Sequence, residues 1–353
     1  MLNRKFSNFN SRTNHSRDVR CNFQRNMEID KNNLFKTYQE KKPLFQRSLQ
    51  NTKEALQQFL AEIEIPYLII NTRLKNFDSF FEKISRKDYE KPFEENEDFC
   101  GVRIVVYHLD DIVKVKELIK ENYVIQNYED KTSNLKPNQV GYRSDHLIIK
   151  IKDSWCVTPN YKNLSDIKIE IQIRTVLMHA WAEIEHKLGY KSQTQIPEKL
   201  QRKLFLMSAK LEDADHQFQE IKDQAEDYKQ KTIAESQKAG KFIGKELNLN
   251  SLQALLTYYY PNEESHSEME SRLLEEIEEA DYSMEEVNKI AKKTKDVVEL
   301  IKSYLFNDNI NRTTTKANIL TYGLEAFGKN FRPAAASSQY RKKITQQLQE
   351  NCT

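Results

Sequence analysis

The chain has 353 residues, 38% of them hydrophobic and 31% charged, with only 7 Gly and 8 Pro, which fits two domains rich in charged helix better than a single small module. Lys+Arg at 55 against Asp+Glu at 53 leaves +2, so no global field favours nucleic acid or a membrane, and a charged partner must meet a local patch. There is no apolar run of about 18 residues and no short apolar segment at the start, so the expectation is a cytoplasmic chain with no membrane partner. Cys21, Cys100, Cys156 and Cys352 lie far apart with no Cys-x-x-Cys pair, which argues against zinc and a disulfide framework.

Residues 1–26 carry Arg4, Lys5, Arg12, Arg17, Arg20 and Arg25 among Asn and Ser and read as a disordered basic tail, with Met27 as an alternative start. Leu44, Leu49, Leu56 and Leu60 predict a helix from Leu34 to about Ile63, which Pro66 ends before a strand over Tyr67–Lys75. Val102–Tyr107 reads as a buried strand, Asp110–Asn122 as a helix, and Leu147–Ile151 and Ile167–Ile173 as two more strands. Past Pro197, Leu200, Leu204, Met207, Leu211, Ala214, Phe218 and Ile221 recur at spacings of four and three, the seam of a helix expected to pack on its own domain. Beyond Ala239 only helical patterns remain: residues 263–286 are acid-dominated, Ser283-Met-Glu-Glu286 spells a capping box, and lysines then reverse the sign.

Phosphate-binding glycine loops of the Gly-x-x-x-x-Gly-Lys-Ser/Thr and Gly-x-Gly-x-x-Gly types are absent from the sequence, so side chains must hold any nucleotide. Three clusters offer them. Arg73 and Lys75 share one side of a strand end, and Ser79, Lys83, Arg86 and Lys87 follow on a helix, a convergence of cations suited to polyphosphate. Asp98-Phe-Cys-Gly-Val-Arg103 feeds the buried strand and can set a carboxylate over a metal with an arginine beside it. Lys136-Pro-Asn138 and Gly141-Tyr-Arg-Ser-Asp-His146 precede a strand whose Glu170, Gln172 and Arg174 project from one face.

In order and spacing, Arg73-x-Lys75 with Ser79, Lys83 and Arg86, Asp98-x-x-Gly101-x-Arg103, Gly141-Tyr-Arg-Ser-x-His146, Glu170-x-Gln-Ile-Arg-Thr175 and Trp181-Ala-x-Ile-Glu185-His-Lys-Leu-x-Tyr190 resemble the synthetase domain of RelA/SpoT proteins. The likeness runs over about residues 40 to 230 and is greatest to small alarmone synthetases. It implies an α+β fold: a nucleotidyltransferase-like synthetase domain over 27–235, its mixed sheet flanked by helices, then an all-α domain over 240–353. The latter is expected to regulate the enzyme or to hold copies together as a homo-oligomer or with a partner.

The implied reaction is transfer of pyrophosphate from ATP to the 3′-hydroxyl of GDP or GTP. An alternative within the same family is a toxic enzyme that modifies the 3′ end of tRNA or adenosine nucleotides. By this resemblance Arg73, Lys75, Ser79, Lys83 and Arg86 bind ATP, and Asp98, Glu170 and Arg103 are catalytic, the two acids holding Mg²⁺. Lys136, Asn138, Tyr142, Arg143, Ser144, His146, Gln172 and Arg174 bind the acceptor, with Tyr142 stacked on its base. Two departures fall near the acceptor: two extra residues within Lys136–Gly141, and Asp145 where the family is generally apolar.

Overall fold

A computed structural model of the chain describes residues 12–87, 89–130, 144–188, 197–307, 314–329, 331 and 339–351. The chain divides into two compact units, 1–219 and 220–353.

The first unit opens with a long helix α1 (Arg12–Glu62), followed by β1 (Tyr67–Leu74), α2 (Phe77–Lys87), α3 (Pro92–Glu95) and β2 (Cys100–Val106). Next come α4 (Leu109–Asn122), β3 (Val124–Asp130), β4 (Asp145–Lys150), β5 (Ile169–Thr175), α5 (Val176–Lys187) and the start of α6 (Glu198–Ala239). Helix α1 begins at Arg12, inside the basic segment expected to be a disordered tail. That segment has no Pro or Gly to interrupt a helix continued from Leu34. The buried residues Tyr38, Phe45, Leu49, Leu56 and Leu60 of α1 lie seven and four apart, which keeps them on one stripe against the sheet.

The five strands run in the order β1-β2-β5-β4-β3. Among the described strands of this sheet only β2 and β5 pair in parallel, so the sheet is mixed and the fold is α+β, as expected. Because side chains alternate along a strand, the register splits this sheet into two unlike faces. Ile169, Ile171 and Ile173 of β5 lie beside Leu147 and Ile149 of β4 and Val102 and Ile104 of β2, all fully or almost fully buried. The opposite face carries Glu170, Gln172 and Arg174 beside His146, Gly101 and Arg103. Strand β3 goes unpredicted: Val-Ile-Gln-Asn-Tyr-Glu-Asp has two β-branched residues at one end, and its pairing comes from β4 at the sheet edge.

Helix α6 departs from its apolar seam. Leu204 and Leu211 pack against the first core, but Leu200, Met207, Phe218 and Ile221 are exposed while Ser208 and Asp215 are buried. The buried side is thus rotated from the leucine stripe, and a hydrogen bond from Thr175 Oγ1 to Asp215 Oδ2 at 2.5 Å anchors it. Cys100 and Cys156 are free thiols, and burial pushes Cys100 up to about 12.

The second unit is helical. After the end of α6 it contains α7 (Leu249–Tyr259), α8 (Ser267–Glu279), α9 (Met284–Lys295), α10 (Val298–Asn307), α11 (Lys316–Phe327) and α12 (Gln339–Asn351). Leu252, Leu255, Leu256, Ile277, Val287, Leu320 and Leu324 form its core. Ser283 and Glu286 close the predicted capping box of α9. Helices α9 and α11 approach so closely that a Cβ on Gly323 would lie 1.9 Å from Thr294 Oγ1, so only glycine fits there. No helix among the described residues is long and apolar enough to cross a membrane.

Candidate active site

The polar face of the sheet floors a cleft of about 330 Å³ lined by Arg73, Lys75, Asp98, Arg103, Glu170 and Gln172. The register explains how Arg73 and Glu170, far apart in the sequence, meet. Arg73 of β1 stands opposite Gly101 of β2, and Gly101 stands opposite Glu170 of β5. With no side chain between them, Gly101 leaves the floor open from the arginine to the acid. Arg103, two residues on, stands beside Gln172.

At one end of the cleft Asp98 receives two ammonium groups, Lys75 Nζ at 2.7 Å and Lys83 Nζ at 3.0 Å. Lys75 is fixed at the end of β1, its N–H donating to Phe99 O at 2.9 Å and its carbonyl accepting from Tyr38 Oη at 2.8 Å. Lys83 comes from α2 and also donates to Asn96 Oδ1 at 2.9 Å. Burial opposes ionisation of Asp98, but the hydrogen bonds and charges of the two lysines outweigh it and hold the carboxyl below its ordinary range. Ser79, one turn before Lys83, and Arg86, exposed in the last turn, lie on α2 rather than on the cleft floor.

Across the floor runs a hydrogen-bonded row. Ser144 Oγ meets His146 Nε2 at 2.7 Å, and His146 Nδ1 meets Glu170 Oε1 at 2.8 Å. Gln172 Nε2 donates to Glu170 Oε2 at 3.1 Å, and Arg174 Nη2 donates to Gln172 Oε1 at 3.1 Å. Burial again disfavours the charged carboxylate, yet His146 and Gln172 hold Glu170 below its usual value against a smaller opposing push from Asp98. Burial, then the charge of Arg103, lowers Arg174.

Helix α5 adds a residue that sequence reasoning missed. Glu183 Oε1 accepts from Arg103 Nη1 at 2.8 Å, with His179 Nδ1 4.0 Å away. Glu183 occupies the unassigned position inside the Trp181-to-Glu185 block, and its one sequence signal is the spacing of four from His179 on a helix.

Asp145 proves to be no part of the cleft. It falls on the opposite face of β4 from His146, where Lys116 of α4 pairs with it at 2.8 Å and Tyr128 lies within 3.4 Å. The departure from an apolar residue is therefore answered by a partner on α4. Lys136, Asn138, Tyr142 and Arg143 lie outside the described residues.

A sequence profile described as a region found in RelA / SpoT proteins matches residues 72–195. GTP pyrophosphokinase YwaC of Bacillus subtilis (strain 168) is 38% identical over 135 residues, 36% of this chain and 61% of that protein. GTP pyrophosphokinase YjbM of the same strain is 31% identical over 165 residues, 46% of this chain and 75% of that protein. Among solved structures, the small alarmone synthetase 1 from Bacillus subtilis is 27% identical with a TM-score of 0.47, over 54% of this chain and 98% of that one. With the profile spanning the cleft from Arg73 to Glu183 and a relative matched at 31% identity over three quarters of its length, the chain belongs to the RelA/SpoT family.

Proposed function

We propose that the chain transfers the βγ-pyrophosphoryl group of ATP to the 3′-hydroxyl of GDP or GTP, releasing AMP and forming guanosine tetra- or pentaphosphate. One observation carries this reading. A single cleft holds a carboxylate flanked by two ammonium groups, Asp98 with Lys75 and Lys83, together with a second carboxylate backed by an imidazole, Glu170 with His146.

In this reaction the 3′-oxygen bonds to the β-phosphorus of ATP, the bond from that phosphorus to the bridging oxygen breaks, and AMP leaves with the oxygen. Lys75, Lys83, Arg73 and Arg103 offset charge on the phosphates, and Glu170 accepts the hydrogen of the attacking hydroxyl. His146 and Gln172 hold both Glu170 oxygens, so its carboxylate is oriented before substrate arrives.

The donor set suits magnesium, since Asp98 and Glu170 both line the cleft and supply hard carboxylate oxygens. Magnesium takes one or two protein carboxylates and fills its shell with phosphate oxygens and water. Bound there, it would supply charge neutralisation on the transferring group. Lys75 and Lys83 hold the Asp98 carboxylate meanwhile, and ATP phosphates give those lysines a new partner when they arrive.

Incubating the full chain with γ-labelled ATP, Mg²⁺ and either GDP, GTP, ATP or deacylated tRNA tests the reading. Label in guanosine tetra- or pentaphosphate is expected. Label only in tRNA or an adenosine product would replace the acceptor while keeping the donor site, and no transfer to any acceptor would overturn the proposal.

A further inference from the structure

A second cavity, of about 660 Å³, lies in the first unit and among the described residues shares no lining residue with the cleft. Helix α1 contributes Lys41 and Phe45, α3 contributes Phe93, and Lys150 and Lys168 flank the connection between β4 and β5. Its aromatic wall is a stack in which the Phe93 and Phe99 centroids are 5.5 Å apart with rings 7° from parallel, and Phe45 continues it at 5.0 Å and 13°. Lys41 Nζ sits 6.0 Å from the Phe93 centroid. The remaining two lysines have long carboxylate contacts, Lys150 with Asp166 at 3.6 Å and Lys168 with Glu97 at 3.4 Å. Pairs of that length at a surface hold little energy, so an incoming anion can displace them. The connecting loop is bolted to α1, since Arg47 donates to Lys162 O and Asn51 Nδ2 donates to Asn160 O at 2.8 Å. The cavity is thus formed in advance of any ligand.

Asn96 ties this cavity to the cleft. It lines the cavity, is 2% exposed, accepts from Lys83 at Oδ1 and has no hydrogen-bond partner for Nδ2 among the described residues. Lys83 in turn pairs with Asp98. A buried amide with one end committed and the other unmet is costly, and a ligand that draws on Nδ2 must shift the group that holds Lys83.

From the aromatic wall, the three cations and this shared amide we infer a regulatory site for a nucleoside monophosphate. The base lies against Phe93, the phosphate among Lys41, Lys150 and Lys168, and occupancy changes the affinity of the cleft for ATP through Asn96 and Lys83. The binding stands alone, whereas the coupling rests on the proposed assignment of Lys83 to ATP and of its partner Asp98 to the metal. By reciprocity, ATP must change the affinity for the monophosphate by the same factor.

Calorimetric titration of the full chain with AMP and with GMP, after a non-hydrolysable ATP analogue has filled the cleft, tests the binding. A saturable site is expected, weakened tenfold or more in Lys41→Glu/Lys168→Glu, with turnover in the absence of monophosphate within twofold of the parent. No binding once the cleft is filled, or equal binding in the charge-reversed variant, overturns the site. Photolabelling of the parent chain with 8-azido-AMP serves where that variant does not fold: label in residues 41–45 or 163–168 is expected, and label confined elsewhere refutes it. The coupling requires the monophosphate to shift the affinity for the ATP analogue at least threefold, and Asn96→Ala to shrink that shift. An analogue affinity indifferent to monophosphate overturns the coupling while leaving the transferase reading untouched.

Discussion

Asp215 gives a pH dependence whose sign and size follow from its surroundings. Its side chain, 3% exposed, accepts from Thr175 Oγ1, and that same oxygen accepts from Met178 N at 3.1 Å to cap α5. Burial raises the carboxyl to about 7, against an ordinary value of about 3.9. Between those values the folded chain keeps a proton that the unfolded chain releases, so stability is greatest in acid, falls as pH climbs from about 4 to about 7, and then levels. At about 1.4 kcal/mol per pH unit the penalty reaches about 4 kcal/mol. Asp215→Asn cannot ionise, matches the shape and still offers an oxygen to Thr175. It should therefore approach the parent below about pH 4 and exceed it at pH 8 by up to about 4 kcal/mol, a rise in melting temperature of roughly 10 °C for a unit of this size. Trp155 and Trp181 are the two tryptophans and both lie in the first unit, so tryptophan fluorescence during melting isolates its unfolding from that of the helical unit. Only the difference between variant and parent matters, which removes the titration of all other groups. A difference independent of pH would falsify the assignment of Asp215 as a proton carrier of the fold.

Asp98→Asn and Glu170→Gln should each lower turnover by on the order of 10²-fold or more with little change in melting temperature, because each removes charge from the reacting centre at nearly constant shape. Near-normal steady-state rates in both would defeat the proposed chemistry. Glu183→Gln frees Arg103 from its 2.8 Å charged partner and should raise KM for ATP several-fold while moving kcat less; an unchanged KM would show that the pair does not position the arginine. Gly323→Ala should destabilise the second unit by about 1–3 kcal/mol through the clash with Thr294. Thr294→Ala should recover much of that loss, and strictly additive urea-unfolding energies for the pair would contradict the close approach.

The sequence by itself determined both faces of the central sheet, because the alternation of Ile169, Ile171 and Ile173 with Glu170, Gln172 and Arg174 is a local property of one strand. It also determined the cation cluster, Lys75 at a strand end and Lys83 on the face of the helix that follows, and the aspartate just before β2. Tertiary structure alone decided which groups those charges meet. Arg103 and Glu183 are 80 residues apart and join only because α5 lies beside β2. The face on which Asp145 falls became visible with the register of β4 against β5. Strand β3 owes its existence to pairing with β4, so no propensity marked it. The leucine stripe of α6 gave the opposite lesson. Periodicity reports which side of a helix is apolar, but burial goes to the side that finds partners, and on α6 the Thr175 hydroxyl drew in Asp215 while Met207 and Phe218 stayed exposed.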